Sequence, residues 1–171
     1  MTDRTHPPMA AGERETLLAF LDFQRQTLRL KASGLTAEQL RTPLPPSSLT
    51  LAGLLKHAAL VEDNWFAHVL RGDEPAQPWA SVDWDADPDW EFRTANQDAP
   101  DDLFALFDAA TAASDAVLAE ITDLDHLAAR QRRSGERASL RWILLHMIEE
   151  YARHAGHADL IRESIDGQTG E

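Results

Sequence analysis

Cysteine is absent from the 171 residues, which excludes a disulfide framework, a thiolate-held metal and a cysteine nucleophile. Any thiol chemistry must therefore use a sulfur brought by another molecule. Lysine is nearly missing, with Lys31 and Lys56 alone, and 16 basic residues face 29 acidic ones for a net charge of -13. A surface of that sign repels phosphate and argues against nucleic acid as a partner. No apolar run approaches the length of a membrane span or of a secretory signal core, and the opening MTDRTHPPMAAGERET is polar. A cytoplasmic protein with no membrane partner is the expectation. A glycine-rich phosphate loop, a nucleophile elbow and internal repeats are also missing.

What is present is a globular composition, 43% hydrophobic and 26% charged, enough for one domain over residues 1–171 with a frayed start at 1–12. Apolar spacing of three and four predicts a first helix over about 13–32, with Leu17, Leu21, Gln24 or Arg25, and Leu28 on one face. Thr36 caps a short turn after Gly34, and RTPLPPSS makes a stiff connector. A second helix runs from Thr50 to a stop at Gly72, its apolar face holding Leu51, Leu54, Leu55, Ala58, Val61, Trp65 and Val69. His57 lies beside that face, and Asn64 returns seven residues later to nearly the same angle. Glu62 points elsewhere and reads as a salt-bridge residue. A third helix starts at Pro100 and ends near Thr122. The connector after it carries a cationic run, Arg130, Arg132 and Arg133, expected to be solvated.

Residues 73–100 are rich in Asp, Pro and Trp and show no helical period. They are too long for a turn between antiparallel neighbours and read as a crossover anchored by Trp79, Trp84 and Trp90, able to lid a pocket. The resulting fold class is all-α: a four-helix bundle, up-down-down-up, with the long crossover between helices 2 and 3.

The last helix, SLRWILLHMIEEYARHAGHADLIRESIDG, should run from an N-cap at Ser139 to a C′ glycine at Gly167. His146, Glu150, His154 and His157 lie on or beside its apolar stripe. Glu150 and His154, one turn apart, can converge on one ion, whereas His146 is roughly 12 Å from His154 along the axis. In an up-down-down-up bundle the second and fourth helices are antiparallel, so His57 should sit level with Glu150 and His154. Two imidazoles and a carboxylate suit catalytic zinc or non-haem iron, with positions left for water or substrate. Zn²⁺, Ni²⁺ and Fe²⁺ stay open, as does a buried His–Glu–His hydrogen-bond network holding no ion. His157 could replace Glu150 as a ligand or contact substrate, and Asn64 and Trp65 are candidates for the pocket wall. Arg153, Arg162 and Asp159 read as surface or helix-end pairs.

The segments GLTAEQL, SLTLAGLLKHAALVEDNWF and SLRWILLHMIEEYARHAGHADLIRESIDG resemble the DinB-like (YfiT-like) four-helix-bundle superfamily over nearly the whole chain, in particular an uncharacterised actinobacterial-type subgroup. The resemblance implies a divalent metal held by a histidine of the second helix and two residues of the fourth. Carried over residue by residue, these are His57, Glu150 and His154. Many relatives have histidine where this chain has Glu150, and the Glu form is similar to the mycothiol-dependent maleylpyruvate isomerase branch. The implied function is a thiol S-transferase or isomerase using mycothiol, bacillithiol or a similar low-molecular-weight thiol activated by the metal, with a small-molecule substrate. Homodimerisation is implied too. The alternatives are a metal-dependent hydrolase of a small ester or amide and a non-catalytic, stress-associated dimer in which the metal staples the bundle.

Overall fold

The apolar periodicities of the sequence become six α-helices in the computed structural model, which describes residues 4–132 and 134–169. Arg133 of the cationic run lies outside the described residues. The helices are α1 (Glu13–Ala32), α2 (Ala37–Leu40), α3 (Leu51–Glu62), α4 (Trp90–Ala95), α5 (Pro100–Glu120) and α6 (Leu140–Asp166). Among the described residues no strand forms, and Leu127 and Ser139 make an isolated antiparallel bridge. The ends follow the expected chemistry. Ser139 Oγ accepts the Trp142 N–H at 3.2 Å, Thr36 and Gln39 form a reciprocal capping box, and Gly167 closes α6 with φ 75°.

Side-chain pairs across the bundle set the helix directions. Arg141 meets Glu13 near the starts of α6 and α1, and Arg162 donates to the Lys31 and Ser33 carbonyls at the end of α1, so α1 and α6 run side by side in the same sense. Arg14 reaches the Leu118 carbonyl while Arg29 pairs with Asp108, which sets α5 against α1. Between α3 and α6, His57 meets Glu150, Glu62 meets Tyr151, and Trp65 meets Trp142. Those two helices are antiparallel. Leu21 and Leu28 of α1, Leu54 and Leu55 of α3, Phe107 and Val117 of α5, and Ile143, Leu144 and Met147 of α6 form the common core.

Three polar side chains depart from the sequence reading. Glu62 is not a peripheral salt-bridge residue: it is fully buried, gripped by Arg25 through two hydrogen bonds at 2.7 and 2.6 Å and by Tyr151 Oη–H at 2.7 Å. Of the two candidates on the inner face of α1, Arg25 and not Gln24 is the buried one. Arg162 is buried and caps the C-terminal carbonyls of α1 instead of lying on the surface. Arg130 is not a solvated loop charge either, since it donates to the His68, Gly72 and Asp73 carbonyls at the end of the second long helix.

The second long helix changes winding midway. After Glu62 it continues as a π-helix over Asp63–Arg71, closed by Gly72 with φ 95°, whose N–H bonds to the Ala67 carbonyl five residues back. Wider winding rotates every later side chain relative to an α-helical projection. Phe66 and Leu70 therefore join Trp65 in the core, while Val69 is half-buried.

The crossover is more ordered than its composition suggests. Trp79 is buried, and Trp79 and Trp84 both meet the Trp90 ring edge-on, at 6.1 and 6.4 Å, so the tryptophans do anchor it. Its last part forms α4, which packs on α3. Lys56 ties it down through Thr94 at 2.9 Å, Asp98 at 2.5 Å and the face of Trp90. At the other end of the chain, Arg4 bonds Thr27 and lies over Phe23, and the Thr5 N–H reaches Gln26, so residues 4 and 5 lie along α1 instead of fraying.

Candidate metal centre

Glu150 and His154 sit at the margin of the buried face of α6, next to Tyr151, Ala155 and Ala158, which point inward. One turn of α-helix separates them and sends both side chains to the same side. His57 arrives from α3. One turn before it lies Gly53, where a Cβ would come within 3.0 Å of Phe92 Cδ1 and 3.3 Å of Thr50 Oγ1. The bare backbone thus lets α4 settle against α3 at the level of His57. Phe92 then stacks on the imidazole, with ring centroids 4.8 Å apart and planes 20° apart.

The three side chains converge. His57 Nε2 and His154 Nε2 lie 3.1 and 3.0 Å from the same oxygen, Glu150 Oε1. Their candidate ligand atoms all fall within 4.8 Å of one another, so His57, Glu150 and His154 could hold a metal ion. They form the one such group among the described residues. The outer nitrogen of His57, Nδ1, is 3.0 Å from Glu91 Oε1. Glu91 is buried on α4, and its other oxygen, Oε2, is buried without a hydrogen-bond partner. Behind His154, His157 Nδ1 lies 3.4 Å from His154 Nδ1, on the side of that ring away from Glu150.

The charges reflect this crowding. Burial alone would lower the His57 pKa, but the hydrogen bonds and negative charge of Glu150 and Glu91 outweigh it and raise it to about 9. Glu150 is held well below the usual carboxylate range, first by the hydrogen bond from His154 and then by that from His57. His157 is lowered by burial and by the neighbouring His154 and Arg153. Without a cation, then, a His57 imidazolium serves both carboxylates, donating from Nδ1 to Glu91 and from Nε2 to Glu150. A divalent ion bound at Nε2 would displace the proton there.

The other predicted pocket residues part company. Asn64 lines a cavity of about 350 Å³ between the π-helical segment and the crossover, with Leu60, Val61, Trp79 and Trp84. Leu60 and Val61 follow His57 by one turn, so the cavity borders the same face of the helix. Trp65 lies elsewhere, against His146 at 4.7 Å and Trp142 at 5.4 Å, with the Arg132 guanidinium over both indoles. That stack is two turns of α6 away from His154, and His146 belongs to it. Sequence reasoning missed Glu91 and Phe92, because nothing in DWDADPDWEFRTAN separates one acid from the others until the chain is folded.

The chain matches the family model of mycothiol S-transferases over residues 16–167. It belongs to that family, within the DinB-like group. A solved structure described as the conserved protein of locus from Enterococcus faecalis is similar in fold, with a TM-score of 0.69 at 17% identity, covering 93% of this chain and 100% of that one. No curated protein matches the chain. The family implies a thiol and a small-molecule substrate, and among the described residues no helix is long and apolar enough to cross a membrane.

Proposed function

We propose that His57, Glu150 and His154 hold a divalent cation, Zn²⁺ before Ni²⁺ or Fe²⁺, and that the protein transfers a low-molecular-weight thiol of the mycothiol type to a small electrophile. The observation that carries this is the meeting of two Nε2 atoms and a carboxylate oxygen within 4.8 Å, on a chain of the mycothiol S-transferase family. His57, Glu150 and His154 would hold such a cation, which would supply the positive charge that favours the thiolate of an external thiol at neutral pH. The chain supplies the rest. Glu150 offsets one positive charge, and Phe92 shields one face of His57 from water. With no cysteine of its own, the protein leaves the incoming sulfur as the sole thiol nucleophile in reach. The cavity under Trp79 and Trp84 is apolar apart from Asn64, Asp63 and His68, and suits a small, largely apolar electrophile oriented by the Asn64 amide. In the reaction the thiol proton goes to solvent, the sulfur bonds the electrophilic carbon, and the leaving group departs with its electron pair.

The test is turnover of an activated aryl or alkyl halide by metal-loaded protein, with and without mycothiol. Consumption that needs both metal and thiol, and is lost in His57→Ala with the helical spectrum intact, supports the transferase. Consumption of substrate by the loaded protein at the same rate without thiol overturns it in favour of hydrolysis. A wild type that takes up no cation returns the cluster to a hydrogen-bonded staple of the bundle.

A further inference from the structure

The crossover contributes more than a lid. We propose that Glu91 is a positioning residue of the metal centre: its buried carboxylate accepts the Nδ1 proton of His57, which leaves Nε2 as the free lone pair aimed at the point shared with Glu150 and His154. The inference rests on the metal-centre reading above and adds a fourth side chain, from a segment outside the four long helices.

Three observations carry it. First, the contact is direct, 3.0 Å from Nδ1 to Oε1, on the opposite edge of the ring from Glu150. An imidazole bound through one nitrogen keeps its proton on the other, and a carboxylate there selects the tautomer, fixes the ring plane and makes the ligating nitrogen more basic. Second, the carboxylate is buried and has no other hydrogen-bond partner among the described residues: Oε1 faces His57 and Oε2 faces none. An uncompensated buried carboxylate is costly. A metal-bound imidazole, whose N–H is more acidic and more positive than that of neutral histidine, is a neighbour that repays part of it. Third, the carrier is built to stay in place. Gly53 admits α4 to close range, Phe92 of the same helix stacks on the His57 ring, and Lys56 ties down the far side of α4 through Thr94 and Asp98. The crossover thus acts on His57 from two directions, one polar and one aromatic.

Because coupling is reciprocal, whatever Glu91 adds to metal affinity the metal returns to the docking of α4. Two readouts follow that need no catalytic assay. Zn²⁺ affinity, measured by competition with a chromogenic chelator, should fall about 10- to 100-fold in Glu91→Ala and recover in part in Glu91→Gln, whose amide oxygen still accepts the Nδ1 proton. Zn²⁺ should also slow amide hydrogen exchange over Trp90–Ala95 in the wild type and do so much less in Glu91→Ala. Lys56→Met separates positioning from simple docking, since it removes an anchor of α4 without touching His57.

A loss in Glu91→Ala well beyond that in Lys56→Met, with partial rescue by glutamine, supports the proposal. Affinity within twofold of wild type in Glu91→Ala overturns it while leaving the three-ligand centre standing. Equal losses in Glu91→Ala and Lys56→Met also overturn it, in favour of a purely structural role for the helix. A wild type that binds no Zn²⁺ removes the metal-centre reading and this inference together, and is recognised before any variant is made.

Discussion

Two carboxylates at the contact between α3 and α6 live in opposite worlds. Glu62, at the end of α3, is fully buried, and its partners are a guanidinium and a phenol. Glu150, on α6 opposite His57, keeps some access to solvent; its hydrogen-bond partners are two imidazoles, and the exposed Arg153 guanidinium stands 3.9 Å from its other oxygen. Arginine has no lone pair to offer and does not lose its proton in proteins, so the Glu62 cluster is closed to any cation. Imidazole can give up its proton and become a ligand. Similar acid–base pairs at two levels of one bundle thus make a permanent tie in one place and an exchangeable one in the other, and the difference lies in the donor, not in the carboxylate.

The largest effect should come from breaking the permanent tie. Glu62→Ala leaves Arg25 buried with only the exposed Asp115 as counter-charge and frees the buried Tyr151 hydroxyl, so unfolding free energy should drop by about 3–5 kcal/mol. In a chain of this length the melting temperature falls by roughly 10 °C. Chemical denaturation measures it, and Arg25→Met with Glu62→Leu together should regain most of the loss, since an apolar pair of similar volume suits that site. A loss under about 1 kcal/mol in Glu62→Ala would mean that the two clusters are alike after all.

The exchangeable tie should show itself through pH. In the metal-free protein the His57 pKa lies near 9 against 6.5 unperturbed. A raised folded-state value means that the folded chain holds this proton more tightly than the unfolded one, so the contribution is complete below pH 6.5 and fades as pH climbs to about 9. The shift corresponds to about 3 kcal/mol at most. Melting temperature of metal-free protein should fall across that window, and His57→Gln should flatten the profile. The depressed Glu150 acts in the other direction, its contribution being present above the ordinary carboxylate range and lost as pH falls below that range toward its depressed value. Bound Zn²⁺ reverses the alkaline limb, because metal replaces the proton and its affinity rises with pH. Arg25, whose guanidinium keeps its proton throughout, should show no such window in the neutral range, which sharpens the contrast.

Much of this arrangement was legible in the residues. Helix ends written in Gly34, Thr36, Thr50, Pro100, Ser139 and Gly167 appear where capping chemistry puts them. The levels of His57, Glu150 and His154 followed from rise per residue once the two helices were set antiparallel. Two kinds of information were not local. Periodicity assumes one winding, so the change to π-helix after Glu62 hid Phe66 and Leu70 and gave Trp65 a different neighbourhood from Asn64. Buried polar partners were also out of reach: Arg25, Glu62 and Glu91 look like surface charges until partners 37, 89 and 34 residues away are brought to them. The acidic crossover read as irregular because α4 is too short to carry a period.

The smallest effect tests whether position on α6 or residue type makes the centre. His146 shares its helix with His154 and lies two turns nearer the start. Its ring is stacked on Trp142 at 5.1 Å and meets Trp65 edge-on at 4.7 Å, and its nearest carboxylate, Glu149, is 3.9 Å away. Among the described residues no second imidazole faces it, so it lacks what a ligand set requires and acts as an aromatic plate between Trp142 and Trp65. His146→Ala should therefore cost about 1 kcal/mol through lost ring contacts and leave Zn²⁺ affinity within twofold of wild type, whereas His154→Ala should abolish tight binding. Replacing His146 by phenylalanine, which keeps the ring and discards both nitrogens, should restore stability. A metal affinity that falls with His146→Phe would show the two histidine clusters to be coupled through α6, and would move the boundary of the centre two turns toward Ser139.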